Sequence, residues 1–250
     1  MILISMPPAP PVEINVLKAP YHKKFTFLVG AYCRYVIRRN GFWFVDIPRT
    51  SSSSIRTELA QHYGCVYGKK NVRGYQNANR TFMNGHIPAS CMATFIGQSF
   101  WDRLFTFTVV RNPWDRMVSF YRWRSMTDRL VGKTAFRDFI MRLSERSAND
   151  LMFRRHHSYF GSADYLLDKD GKIMVDCIIR FEERFDGIKQ VSSRLGMNSL
   201  GRLKVQSSLM SGEHYSEFYD SDTIEIVRDL YRTDIELFGY EFEMSEGIAL

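Results

Sequence analysis

The chain has few cysteines, and no two of them lie close together in the sequence. The four are Cys33, Cys65, Cys91 and Cys177. Because no pair has the spacing of a metal-binding or redox motif, neither a zinc site nor a disulfide framework is predicted. Reduced thiols in a cytoplasmic protein are the simplest expectation, and two buried bridges are the alternative.

A long apolar run is also lacking. No stretch is long and apolar enough to span a bilayer. The apolar start at residues 1–6 leads into a proline-rich cluster and lacks the basic and apolar regions of a signal peptide. We therefore expect no membrane span and a cytoplasmic location.

The charged residues form no long basic block, although Lys and Arg (34) outnumber Asp and Glu (27) and give a net charge of +7. A basic excess favours an anionic partner, and a surplus of solvated surface charge is the alternative. Nucleic acid is not predicted as a partner, because the positive charge is spread along the chain.

The length of 250 residues suits one large α/β domain. Residues 1–41 are predicted to be an N-terminal leader, partly flexible, because prolines at 7–11 cannot join a helix or a central strand. Within it, an edge strand is predicted at 25–29 and a short basic helix at 31–39. Residues 42–250 are predicted to form the domain.

Short apolar segments predict buried strands at 42–47, 104–110 and 176–181. Helical patterns follow each of them, at 55–62, from 115 to about 124, and at 183–195. Further helices are predicted at 135–143 and 221–237, and Phe185 is expected to face the core. Strands separated by helices imply a three-layer α/β fold with a central, mainly parallel sheet.

The first candidate site joins the first strand to its helix and consists of Arg49, Thr50, Ser51, Ser52, Ser53 and Ser54. The first N–H groups of a helix lack partners and, with the helix dipole, favour an anion. Small residues let a phosphate approach, and a guanidinium can contact two of its oxygens. An ordinary serine cap is the alternative. Without the glycines and lysine of the triphosphatase loop, this site is P-loop-like at most.

The second candidate site begins at Arg111, where the second strand ends. Ser119 lies eight positions later on the next helix. The two side chains can converge on one phosphate at the carboxyl edge of the sheet, where ligands of open α/β sheets bind. The alternative is that Arg111 pairs with Asp115 or with a surface carboxylate.

Together the two sites resemble those of the PAPS-dependent sulfotransferases, where PAPS is 3′-phosphoadenosine 5′-phosphosulfate. The family's 5′-phosphosulfate loop, Pro-Lys-Thr-Gly/Ala-Gly/Ser-Thr-Ser, is similar to residues 48–54. Its 3′-phosphate motif, Arg-Asn/Asp-Pro with a later Ser, is similar to Arg111-Asn112-Pro113 and Ser119. Segments 175–182 and 234–242 resemble two later motifs, in particular those of the carbohydrate (Golgi-type, family 2-like) branch.

The resemblance implies an enzyme that moves the sulfuryl group of PAPS to a hydroxyl of an acceptor, without a metal ion. The branch implies a saccharide acceptor, and His156 and His157 leave open whether that acceptor is acidic. Residues 49–54, Arg111 and Ser119 would bind the donor.

Two residues are predicted to be catalytic. Arg49 replaces the family's loop lysine, which contacts the bridging oxygen of the donor; it keeps the positive charge but is a poor general acid. His86, in a Gly-His-apolar-Pro context, resembles the catalytic histidine of carbohydrate sulfotransferases and suits proton abstraction near neutral pH. A packed or capping histidine is the alternative.

Two other functions compete with sulfuryl transfer. A phosphotransferase or nucleotidase would use a related loop, but it requires a loop lysine and an acidic metal ligand. Asp46 ends a strand yet precedes the loop. A catalytically inactive nucleotide-binding homologue is the other alternative, because Arg49 stands in place of lysine.

Overall fold

Three parallel strands form a sheet in the order β1-β2-β3, with β1 at Phe42–Val45, β2 at Phe105–Val110 and β3 at Cys177–Arg180. The computed structural model describes residues 23–63, 86–129, 131–145, 160–197 and 213–245. Helices separate the strands along the chain and flank the sheet. The predicted fold class is therefore confirmed.

β1 and β2 are the more buried strands, and apart from Thr106 and Thr108 their residues are apolar. All four residues of β1 are buried, as is β2 after its first residue. The rings of Phe44 and Phe107 lie 5.0 Å apart across the two strands. The hydroxyl of Thr108 donates to the carbonyl of Val45 at 2.8 Å, next to the point where these two residues pair.

The described helices include those predicted at 55–62, 115–124, 135–143 and 183–195, which begin and end close to the predicted positions, and three short helices at 89–96, 98–101 and 163–166 that were not predicted. They are α1 Lys23–Asn40, α2 Ser52–Tyr63, α3 Ala89–Ile96, α4 Gln98–Trp101, α5 Pro113–Thr127, α6 Phe136–Glu145, α7 Ala163–Leu166, α8 Arg184–Arg194, α9 Ser221–Leu230 and α10 Arg232–Phe238. Short 3-10 turns lie at Val131–Lys133, Phe181–Glu183 and Tyr215–Phe218. No helix among these ranges has the length and apolar character needed to cross a membrane.

The buried apolar residues form two clusters. One surrounds the sheet and includes residues of α1 to α4 and α8. The other lies between α5, α6, α9 and the turn Tyr215–Phe218. Trp43 and Trp101 belong to the first and Trp114 to the second.

The edge strand predicted at residues 25–29 is wrong, since α1 is helical throughout. Cys33, Val36 and Ile37 of this helix are buried. From Cys33 their spacing is three and four residues, which places them on one helical face. The helix begins at Lys23, before the short helix predicted at 31–39.

The single helix predicted at 221–237 is divided into α9 and α10 at Tyr231, whose side chain is buried. Asp234 of α10 is also buried, and its carboxylate accepts hydrogen bonds from the backbone N–H groups of Ser162 and Ala163 at 2.6 and 2.8 Å. These contacts hold α10 against the start of α7. Phe185 of α8 is 65% exposed rather than facing the core.

Candidate active site

The connection from β1 to α2 is a tight turn without glycine. The backbone φ angles of Arg49 and Ser51 are +68° and +66°. Residues with a β-carbon take this left-handed conformation at a cost of about 1–2 kcal/mol each. The buried hydroxyl of Thr50 donates to the carbonyl of Ile47 at 2.9 Å and holds the turn closed.

The hydroxyl groups of this turn do not all face outward. Thr50 and Ser52 are buried, and the Ser52 hydroxyl contributes to lowering the pKa of Asp46. Ser51 and Ser54 are half-buried, and the side chain of Ser53 lies outside the described structure. Ser51 and Ser54 are therefore the hydroxyl residues of this turn, among those whose side chains are described, that have partial access to solvent.

Arg111 leaves the end of β2 and reaches the turn. Its Nη1 donates to the carbonyl oxygen of Arg49 at 3.1 Å. Its Nε and Nη2 each donate to the carboxylate of Asp115 at 2.7 Å. An ion pair with Asp115 was the alternative to a role for Arg111 at the site. The structure contains both contacts: Arg111 pairs with Asp115 and also donates to the turn.

Arg49 extends from the turn to the helix after β2. Its Nε and Nη2 donate to the hydroxyl of Ser119 at 3.2 and 2.9 Å, and its guanidinium lies 5.9 Å from the ring centre of Trp123. Burial, and then the positive charge of Arg111, lower the pKa of Arg49 to about 10. Arg49 is therefore cationic at neutral pH and brings positive charge between the two candidate sites.

Arg184, the first residue of α8, is a further cation that the sequence did not single out. The guanidinium groups of Arg111 and Arg184 lie 4.2 and 4.3 Å from the ring centre of Phe181. Burial and the charge of Arg111 lower the pKa of Arg184. Arg184 follows β3, just as Arg49 and Arg111 follow β1 and β2. Its position after a parallel strand is the sequence feature from which it could have been predicted as a site residue.

The later motif segments hold the site together. Glu182 accepts from the backbone N–H of Asn112 at 2.9 Å and from the hydroxyl of Tyr240 at 3.2 Å. The side-chain amide of Asn112 donates to the carbonyl of Glu241 at 2.9 Å, and its side-chain oxygen accepts from the N–H of Trp114 at 3.0 Å. The start of α5 is thus fixed against β3 and the segment after α10.

His86 lies at the carboxyl end of β1, beside the same turn. Its Nδ1 is 3.0 Å from the carbonyl oxygen of Asp46 and 3.1 Å from the carboxylate Oδ1 of that residue. The other carboxylate oxygen of Asp46 pairs with Nη1 of Arg56 at 2.8 Å.

The Asp46 carboxyl is buried, which by itself raises its pKa. Its contact with His86 and the positive charge of Arg56 outweigh burial, so that the pKa of Asp46 is lowered. A negative charge therefore stands behind the imidazole at neutral pH, and a quarter of the His86 side chain remains exposed.

Several sequence predictions lie outside the described structure, among them His156 and His157. Within the described ranges, no group of three or more His, Cys, Asp or Glu side chains is arranged to hold a metal ion.

The protein has a parallel α/β sheet, and arginine, serine and histidine side chains lie together near the carboxyl ends of its strands. This edge of the sheet is a candidate anion site. The sequence model described as "Sulfotransferase family" matches residues 35–241. The chain belongs to this family, and the activity of the family is sulfuryl transfer. No curated protein and no solved structure shows significant similarity to it.

Proposed function

We propose that the enzyme transfers the sulfuryl group of PAPS to a hydroxyl of a carbohydrate or glycoconjugate. The observation that carries this proposal is the contact between the two candidate sites: Arg111 donates to the backbone of Arg49, and Arg49 donates to Ser119. A ligand with two separate anionic groups can bind both sites at once. PAPS is such a ligand, because it carries a 5′-phosphosulfate and a 3′-phosphate.

The donor's phosphosulfate would lie against the turn. The N–H groups at the start of α2 and the hydroxyls of Ser51 and Ser54 can donate to its oxygens. The 3′-phosphate would lie near Arg111 and Ser119. Asp115 holds the Arg111 guanidinium in one orientation, which suits a planar donor of several hydrogen bonds to phosphate.

In the transfer itself, the acceptor oxygen attacks sulfur as the bond between sulfur and the phosphate oxygen breaks. His86 takes the proton of the acceptor hydroxyl. The departing phosphate gains negative charge, which the cationic Arg49 and the turn N–H groups stabilise. Arg49 acts through its charge, since a guanidinium does not readily give up a proton.

The carbohydrate acceptor is supported by the resemblance to the carbohydrate branch rather than by a residue pattern. The residues around His86 are its expected contact region, since the attacked sulfur must lie between His86 and the turn.

Donor binding is the direct test and does not depend on the acceptor. Isothermal titration with 3′-phosphoadenosine 5′-phosphate should show binding at least about 100-fold tighter than with ATP, which lacks the 3′-phosphate that Arg111 and Ser119 would hold. Tighter binding of ATP would contradict the proposal and favour a phosphotransferase or nucleotidase.

Catalysis is tested separately, by transfer of labelled sulfate from PAPS to a mixture of oligosaccharides. We expect labelled saccharide product. Tight donor binding without transfer to any hydroxylated acceptor would instead identify an inactive nucleotide-binding homologue.

A further inference from the structure

The environment of His86 distinguishes its two ring nitrogens. Nδ1 faces the backbone carbonyl of Asp46 at 3.0 Å, and the carboxylate of that residue is 3.1 Å away. Both groups are hydrogen-bond acceptors when the carboxyl is ionised. An acceptor facing Nδ1 requires that nitrogen to carry the hydrogen, so the lone pair of the neutral imidazole is on Nε2.

We infer that Asp46 is a positioning residue that holds His86 with Nδ1 protonated and directs Nε2 toward the acceptor hydroxyl. This inference rests on the proposed function, because it assigns the nitrogen that performs the proton transfer in that reaction. Asp46 is two residues before Pro48 and three before Arg49, so one strand end fixes both the base and the phosphate turn.

Asp46 is itself held from its other side. The ion pair between Arg56 and Asp46 is buried, with side-chain exposures of 10% and 6%. Arg56 lies on α2, the helix that follows the turn. The ion pair with Arg56 therefore fixes the orientation of the Asp46 carboxylate. The carboxylate in turn restricts the orientation of the His86 ring that it contacts.

The carboxylate also matters after proton transfer. When Nε2 takes the proton of the acceptor hydroxyl, His86 becomes a cation, and the nearby negative charge of Asp46 stabilises it. The proton stays on the imidazole, which is partly exposed and can release it to solvent after the sulfated product leaves. Asp46 remains ionised throughout, so the charges balance at each step.

The first test reads the tautomer without any activity measurement. Long-range ¹H–¹⁵N spectra of the full chain labelled with ¹⁵N-histidine should show His86 with Nδ1 protonated and Nε2 unprotonated when neutral. Loss of the signal in His86→Gln assigns it among the six histidines. A neutral His86 protonated on Nε2 would overturn the inference, whether or not the donor binds.

The second test separates turnover from binding. Asp46→Asn should lower kcat by roughly 10- to 100-fold, the usual effect of losing a partner behind a functional histidine. The KM for PAPS should stay within about twofold, because Asp46 acts through His86 rather than on the donor. In the His86→Ala background, Asp46→Asn should cause no further loss.

Asp220→Ala is the structural control, because the Asp220 carboxylate accepts from the backbone N–H of Thr223 and caps α9, outside the candidate site. It should lower the melting temperature and leave kcat unchanged well below that temperature.

An equal loss of kcat from Asp46→Asn with and without His86 would show a merely structural role of Asp46. If PAPS supports no transfer in the unmodified enzyme, the proposed function fails, while the tautomer measurement still tests the role of Asp46.

Discussion

The guanidinium of Arg49 donates two hydrogen bonds to the hydroxyl of Ser119, a residue 70 positions later in the chain. This contact connects the turn after β1 to the helix after β2. It places the cation that replaces the family's loop lysine beside the residue expected to bind the 3′-phosphate. The two candidate sites are therefore connected through one side chain.

Ser119→Ala removes the acceptor for both Arg49 hydrogen bonds and a hydroxyl expected to contact the donor. We expect the affinity for 3′-phosphoadenosine 5′-phosphate to fall about 10-fold, the effect of losing a hydrogen bond to a charged group. Titration calorimetry measures this change. Ser125→Ala on the same helix is the control, since the Ser125 hydroxyl donates only within the helix, to the carbonyl of Tyr121. Equal affinities of the two variants would remove Ser119 from the donor site.

Arg111→Gln should weaken binding of 3′-phosphoadenosine 5′-phosphate by about 100-fold, because a buried, charge-assisted contact is lost. Binding of adenosine 5′-phosphate should change much less, since that ligand lacks the 3′-phosphate. Arg137→Gln serves as the control: Arg137 is exposed and pairs with Asp220 and Asp222 away from the sheet edge. If both nucleotides lose affinity equally, Arg111 does not recognise the 3′-phosphate.

Donor binding should weaken as the pH rises from about 8 to 11. Burial and the nearby charge of Arg111 lower the pKa of Arg49 to about 10, so Arg49 is cationic below that pH and loses its charge above it. The phosphates of the ligand stay ionised over this range, and the attraction falls. Titrations at several pH values test this, with circular dichroism to verify folding. Arg49→Gln should lack this step, and an identical pH dependence in that variant would assign the effect to another group.

His86→Ala should lower turnover by roughly 10²- to 10⁴-fold, the usual contribution of a general base. Donor affinity should be unchanged, because His86 contacts Asp46 rather than the phosphate turn. Single-turnover sulfate transfer and nucleotide titration separate the two quantities. His214→Ala is the control, since His214 caps the turn Tyr215–Phe218. Unchanged turnover of His86→Ala would exclude His86 as the base.

Gly187→Ala should destabilise the domain by about 1–3 kcal/mol, the usual cost of overpacking. A β-carbon at this position would lie 2.5 Å from Cγ2 of Ile179 in β3. Denaturant unfolding gives the free energy. Ser193→Ala on the same helix is the control for helix propensity. Combination with Ile179→Ala should recover part of the loss, and purely additive effects would contradict this steric explanation.

The strands and most helices could be predicted from sequence because burial imposes clear apolar patterns. The meeting of Arg111 with the turn at residues 49–54 was also predictable, since parallel strands end at one edge. Phe185 was misplaced although the other residues of the same helical face, Ile188 and Val191, are buried as predicted: it lies in the first turn of α8, directly after the 3-10 turn Phe181–Glu183. A helical period gives the face of a helix that is buried but not the residue at which that face first meets the core.

The internal contacts of the site could not be predicted. His86 is 40 positions from Asp46, and no sequence spacing fixes the distance between their side chains. The direction of the Arg49 side chain depends on its left-handed backbone, for which a turn without glycine gives no signal. Composition likewise does not show that Thr50 and Ser52 use their hydroxyls inside the protein.

The hydroxyl bond from Thr108 to Val45 lies only a few residues from Arg49 and Arg111 along the two strands. A slip of one residue between β1 and β2 would displace one site by about 3.3 Å and turn alternate side chains to the opposite face. Such a shift exceeds what the contact between Arg49 and Ser119 can span. Nucleotide affinity therefore depends strongly on the register of β1 and β2. Its measurement can detect molecules in which these strands pair in the wrong register although the helix content is normal.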